Sequence, residues 1–331
     1  MQFQRRALYN LLRMNWLIDP TTEAEEWQVA NYREYSQEQL FQTLAEEEIY
    51  LDYYSFQAFA EGCETPEELC DQLLSDRDDL SIRQQDRIYL VLFELWRRLL
   101  PERICVSVFC DELDHQINLY DREQVQDSEA LQDVLGNLQE ILNDNTDQGI
   151  EPEQAFNALS EACANNLEGF LYDFICDQIE EGNLNYAADL VDGFHDYVEQ
   201  TEWFDFLKAR TLIQDDPAAT NELFHQLIED TREEADKDLW LEILAFMIEG
   251  GERELFIKLV QMALPLIDTE EDFQDLLSIC QDFYQRLDYD REAELLQQLL
   301  DQRSDCEMDD VVWGNDPHRT QLVEILRQRA I

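Results

Sequence analysis

Two glutamate–histidine pairs stand at i, i+3 spacing: Glu112 with His115, and Glu222 with His225. On a helix this spacing puts a carboxylate and an imidazole on one face, the device from which carboxylate-bridged metal centres of four-helix proteins are built. Such a centre needs both groups to face inward. At about 100° per residue, His115 lies opposite Leu113 on a helix whose apolar stripe is Val106, Phe109, Leu113, Ile117 and Tyr120. Glu222 and His225 fall off the stripe Leu223, Phe224, Leu227 and Ile228. Both pairs read as coincidences of a glutamate-rich chain, and no metal or other cofactor is expected. His195 reads as a helix-face residue, and His318, in the first turn of a last helix, as exposed. Eight cysteines contain no CxxC pair and no zinc-finger spacing to histidine. Most sit in apolar helical stretches and read as buried, reduced thiols of a cytosolic protein. There is no GxSxG, glycine-rich phosphate loop, HExxH or EF-hand spacing. Carboxylates abound, yet nothing marks two of them as an acid and base pair, so the chain reads as non-catalytic.

The charge is more specific than any motif. Seventy-six acidic residues against 23 basic ones give a formal charge of −53 over 331 residues. Such a surface repels nucleic acids and anionic membranes and attracts basic partners. Only three of the cations are lysine, Lys208, Lys237 and Lys258, and the first 207 residues contain none. A high-salt cytoplasm, imitation of a polyanion, or a compositional bias of the lineage would each deplete lysine. Arginines gather in three places: Arg5, Arg6 and Arg13; Arg97, Arg98 and Arg103; Arg319, Arg327 and Arg329. They are expected to pair with acids inside the fold, the alternative being a dimer or docking patch.

The elements that must position these groups are helical. Nine glycines, seven prolines and 45% hydrophobic residues describe a folded chain with few breakers. The N-terminal segment reads as an amphipathic helix with Phe3, Ala7, Leu11 and Met14 on one stripe, not as a signal peptide. Apolar runs such as Ile88 to Phe93 are far shorter than the ~20 residues that cross a bilayer. Ser36, Thr65-Pro66 and Ser81 mark helix starts in the first half. The segment 104–109 is β-branched, but its neighbours favour helix. The polar stretch 143–149 reads as a linker, and so does 304–316, with Val311, Val312 and Trp313 tucked against the helices as a cap.

In the second half, first helices are predicted to begin near residues 166, 201, 236 and 270 and their partners near 184, 217, 252 and 289. A helical hairpin repeating every 34–35 residues is the pattern of an α-solenoid. The expected fold is all-α: a right-handed solenoid of stacked antiparallel hairpins over 148–303, a less regular helical region over 1–147, and a linker with a capping helix over 304–331.

The repeat length, with Gly182 in a turn, Ala187 five residues on, and Leu171 and Ile175 before it, resembles tetratricopeptide repeats. The run from Tyr284 through Leu287-Asp288-Tyr289 to Ala293 resembles the same turn with one residue too many, and Trp203 stands where a first-helix tryptophan would. No unit carries the whole consensus, and the unit from residue 236 has almost none of it. The resemblance covers residues 166–303 and implies a stacked-helix surface that binds peptides or proteins.

These features point to an acidic scaffold, adaptor or chaperone that holds a basic partner, with Glu229, Asp230, Glu233, Glu234, Tyr186 and Trp203 as contact residues and Trp240 as a further anchor if it is not core. A nucleic-acid mimic that inhibits a DNA-binding protein is the alternative, and a carboxylate–metal enzyme a remote one. Self-repulsion of the carboxylates has a direct consequence. Screening shortens to ~8 Å at 0.15 M ionic strength, so the melting temperature is expected to rise from low to moderate NaCl. A scanning-calorimetry series in NaCl checks this.

Overall fold

The computed structural model describes residues 5–77, 79–124, 128–213 and 216–327. It is 73% helix, with no strand among the described residues and a single isolated antiparallel bridge, Thr269 to Val311. Phe3 and Arg329 lie outside the described residues. The chain divides into two compact units: unit 1 is Met1–Leu171 with Asp196–Val198, and unit 2 is Tyr172–His195 with Glu199–Ile331.

Unit 1 contains α1 (Arg5–Ile18), α2 (Glu26–Val29), a 3-10 turn (Tyr32–Glu34), α3 (Gln37–Glu46), α4 (Tyr53–Ala60), α5 (Pro66–Leu74), α6 (Ile82–Leu99), α7 (Val106–Asp121), α8 (Ser128–Asp147) and α9 (Pro152–Ser160). The expected starts are real: Ser36 and Ser81 each close a capping box with a glutamine three residues on, and Thr65 caps a helix that opens on Pro66. Helix α6 is the axis of this unit. Every residue from Ile88 to Trp96 is buried, so it shows no polar face over this stretch. Helices α3 and α5 and the 3-10 turn pack around it, while α1 packs on α2 and α7. The segment 104–109 is not a strand: Val106 opens α7, with Ile104 and Val106 exposed. Residues 143–147, expected as linker, are the last turns of α8, and Gly149 follows at φ 92°.

Unit 2 takes over within α10 (Leu167–Glu180) and continues with α11 (Leu184–Phe194), α12 (Thr201–Leu212), α13 (Pro217–Asp230), α14 (Lys237–Gly250), α15 (Arg253–Ala263), a 3-10 turn (Leu264–Leu266), α16 (Glu270–Arg286), α17 (Asp290–Arg303) and α18 (Pro317–Arg327). Asp216, Asp236 and Thr269 each accept hydrogen bonds from the first turn they cap. Helices pack in succession from α11 to α15 and from α16 to α18, and α14 contacts both α12 and α16. Phe206, Leu207, Phe224, Leu239, Ile243, Leu244, Phe273, Leu276 and Leu277 are buried, whereas Trp203 and Leu223 are half-buried.

Segment 304–316 corrects one expectation. Val312 is buried, but Val311 and Trp313 are 58% and 71% exposed. The reason is local geometry. The chain here is extended against residues 268–270, with Val312 N donating to Asp268 O at 2.9 Å and Glu270 N to Asp310 O at 2.8 Å. Alternate side chains of an extended segment point to opposite sides, so only the middle one of three turns inward.

Trp240 is 2% exposed, and its indole donates to the buried Thr231 hydroxyl at 2.9 Å. It is core and not a partner anchor. Trp240→Ala is expected to cost about 3–5 kcal/mol, as an aromatic cavity does, and to leave the Thr231 hydroxyl without that donor. Chemical denaturation of the two forms measures the difference.

Candidate partner-binding cleft

The six residues singled out as partner contacts occupy three environments. Asp230, Glu233 and Glu234 are exposed at and just beyond the end of α13. Glu229 is engaged by Lys258 and lies 3.6 Å from Arg232. Tyr186 is half-buried, edge-on to Phe174 at 6.3 Å. Trp203 donates its indole N–H to Asp236 at 3.1 Å and meets Tyr172 edge-on at 5.2 Å. The aromatic pair therefore serves packing, and the acids form a solvated patch.

The glutamate–histidine pairs part company. Glu222 and His225 are both exposed. Glu112 accepts from Arg33 at 2.8 Å and from Gln116 at 2.8 Å, while half-buried His115 stands one turn along. His318 corrects its expected exposure: it is half-buried, and its Nδ1 accepts from Arg303 at 3.0 Å. His195 pairs with Asp205 at 3.0 Å.

Many arginines turn inward, some to acids as expected and others to backbone carbonyls, whereas Lys208 and Lys258 pair at the surface. Lys208 and Lys237 bond Asp192 and Asp272 at 2.8 and 2.6 Å, and Lys258 bonds Glu229. Arg303 holds the buried Glu270 together with Asp316. Arg98 spans Tyr32, Arg33 and Tyr35 carbonyls, Arg103 those of Ala60 and Cys63, and Arg319 those of Leu264, Ile267 and Val312. With the positive groups so employed, the surplus of carboxylates is left to the surface. Only Glu94, Asp111, Asp114, Glu270 and Glu292 are buried acids among the described residues.

A cleft in unit 1 joins acids to aromatic rings. It encloses about 720 Å³ and is lined by Glu25, Glu26 and Glu47 with Trp27, Tyr32 and Tyr35. Its parts come from elements of low regularity. Glu25 closes a capping box at the four-residue α2, and the 3-10 turn sets Tyr32 against Tyr35 with ring centroids 5.2 Å apart. Tyr32 donates its hydroxyl to Trp27 O at 2.9 Å. Across the cleft, Arg83 pairs with Glu25, and Arg87 with Glu46 and Glu47 at 2.9 and 2.6 Å. Among the described residues, exposed Glu26 makes no ion pair and the buried Trp27 indole N–H has no acceptor. The site offers negative charge and ring faces. Sequence reasoning passed over it; the signal was Glu25-Glu26-Trp27 beside Tyr32 and Tyr35, in a stretch too short of helical period to be placed.

Beneath α1 lies a second polar cluster that the sequence also concealed. Asp111, on the buried face of α7, accepts from Arg6 and Arg33 at 2.6 Å each and from Asn10 at 3.1 Å. Burial alone would raise its pKa, but the two arginine charges and their hydrogen bonds hold it well below the usual carboxylate range. One turn on, Asp114 accepts from Asn10, from the Ala164 and Asn165 backbone N–H groups, and from the Asn165 side chain, all within 3.1 Å. Burial dominates there and raises its pKa despite those donors.

No known protein family, no curated protein and no solved structure matches the chain.

Asp111→Asn is expected to cost about 3–5 kcal/mol near neutral pH, because it leaves the half-buried Arg6 guanidinium without its counter-ion and Arg33 with Glu112 alone. A lowered carboxylate pKa stabilises the fold fully above the unfolded value of about 4. That stabilisation fades as pH falls below it. Urea unfolding of both forms across acid pH is the measurement, and the gap between them is expected to narrow below about pH 4.

Proposed function

We propose that this chain is a non-catalytic, acidic binding protein, a scaffold, adaptor or chaperone, whose unit 1 cleft holds an Arg/Lys-rich segment of a partner protein. The observation that carries the reading is the cleft, where Glu25, Glu26 and Glu47 stand beside Trp27 and Tyr35 in about 720 Å³. Arginine and lysine side chains pack their stems on aromatic faces and present cations to carboxylates, so this lining suits them on both counts. An incoming arginine can exchange for Arg83 at Glu25, an exchange of one exposed ion pair for another at little net cost. The −53 charge adds fast, salt-sensitive association.

For unit 2 the proposal is a right-handed α-solenoid of stacked antiparallel hairpins. Its support is the 34–35-residue recurrence together with the packing of α12 on α14 and α14 on α16. A solenoid would frame the acidic patch at Asp230, Glu233 and Glu234 as part of an interaction surface.

The experiment must separate the cleft from mere charge. Fluorescence anisotropy with an arginine- and lysine-rich peptide is expected to give saturable binding that weakens steeply with salt. Trp27→Ala, which leaves the net charge alone, is expected to weaken it at least fivefold, and Glu26→Lys likewise. The same reversal at Glu233 is expected to change it less than twofold. A peptide affinity indifferent to Trp27 but lowered equally by each reversal would overturn the cleft and favour a diffuse polyanion of the nucleic-acid-mimic kind. Duplex DNA in place of the peptide is expected not to bind.

A further inference from the structure

The half-buried arginines of this chain are bonded to carboxylates or carbonyls almost without exception, and Arg13 breaks the pattern. Its side chain makes no hydrogen bond or ion pair among the described residues, and its Nε is buried without an acceptor. It lines a small cavity of about 30 Å³ together with Arg6, Asn10, Arg33, His115 and Asn118. His115 and Asn118 are likewise half-buried and make no side-chain hydrogen bond among the described residues. Three unpartnered polar groups thus converge on one space.

The two carboxylates in the same lining do not neutralise Arg13. Asp111 is saturated by Arg6, Arg33 and Asn10, and Asp114 by Asn10, Asn165 and two backbone N–H groups. Burial and the neighbouring charges of Arg6, Arg122 and Arg33 lower the pKa of Arg13, outweighing the opposing pull of Glu34. Within a protein of −53, this is a local excess of cation and donor.

We propose that the cavity beside Arg13 is a carboxylate-binding site, in which the Arg13 guanidinium takes the carboxylate in its fork and His115 and Asn118 supply further donors. A planar fork matches the two oxygens of a carboxylate. The cavity is small, about 30 Å³, so the occupant proposed is a small acid. Tyr9 and Met14 border the same space and suit the organic remainder of a small acid. His115 is lowered by burial and then by Arg33, so it meets the ligand as a neutral imidazole with one N–H to give. Tyr32 lines both spaces and Tyr9 packs against Trp27 with ring centroids 5.8 Å apart, but neither Glu26 nor Trp27 lines this cavity, so acetate binding and peptide binding are tested by different variants and either proposal can fail alone.

The test replaces chloride by acetate or by phosphate at constant ionic strength, which holds general screening fixed. Binding is read by saturation-transfer NMR of the acetate methyl group and by the melting midpoint. The expected result is a saturable acetate effect on both readouts, with neither chloride nor phosphate reproducing it. Arg13→Gln is expected to abolish the effect, and Arg13→Lys, which keeps charge without the fork, to weaken it at least fivefold. Should Arg13→Gln fail to fold by circular dichroism, Asn118→Ala decides, with at least threefold weaker acetate binding expected. No saturable acetate effect, an effect unchanged in these variants, or one seen with phosphate alone would overturn the proposal.

Discussion

The fold rests on the forked hydrogen bonding of arginine. Helices end with carbonyls that have no partner in their own helix, and a chain of many short helices has many such ends to satisfy. Here guanidinium groups reach across sequence to do so: Arg103 to the end of α4, Arg286 to Gly251 at the end of α14, and Arg319 to Leu264 just after α15. Each bond to a charged donor contributes about 1.5–3 kcal/mol when buried, against about 0–1 for an exposed pair such as Arg83 with Glu25. The inward arginines therefore matter to stability out of proportion to their number. A lysine offers one compact charge and cannot span three carbonyls as Arg98 and Arg319 do. Part of the arginine bias thus has a structural reason, alongside whatever bias the lineage carries.

What was legible in sequence was whatever depends on neighbours along the chain. First helices in the second half begin at Leu167, Thr201, Lys237 and Glu270, against expected starts near 166, 201, 236 and 270. Asp216-Pro217, Asp236 and Thr269 act within a single turn, so their meaning survives without knowledge of the fold. Burial of a carboxylate has no such local signature. Nothing near Asp111 in the sequence marks it as buried, because its partners Arg6 and Arg33 lie 105 and 78 residues away. The Trp27 cleft escaped for a related reason: it is made by a four-residue helix and a 3-10 turn, elements too short to leave a periodic trace.

The division of labour between charges links stability to recognition. Positive groups are consumed in holding helix ends and the few buried acids, so the surface potential is set almost wholly by carboxylates. Such a body has little of its own with which to attract acidic neighbours, and it repels further copies of itself. Aromatic rings that remain accessible then acquire particular weight. Tyr50 and Tyr54 are 78% and 79% exposed, and Tyr54 packs edge-on against Tyr53 at 5.5 Å. They are flanked by Glu46, Glu47 and Glu48 on one side and Asp52 on the other.

The placement of lysine has an experimental corollary. All three lysines fall in unit 2, and each is tied to a carboxylate, while unit 1 contains no lysine at all. Attachment through lysine side chains therefore falls in unit 2 and modifies no side chain of unit 1. A fluorophore attached through Lys208 leaves the lining of the Trp27 cleft chemically untouched, so the chain arrives with a selective handle already built into its composition.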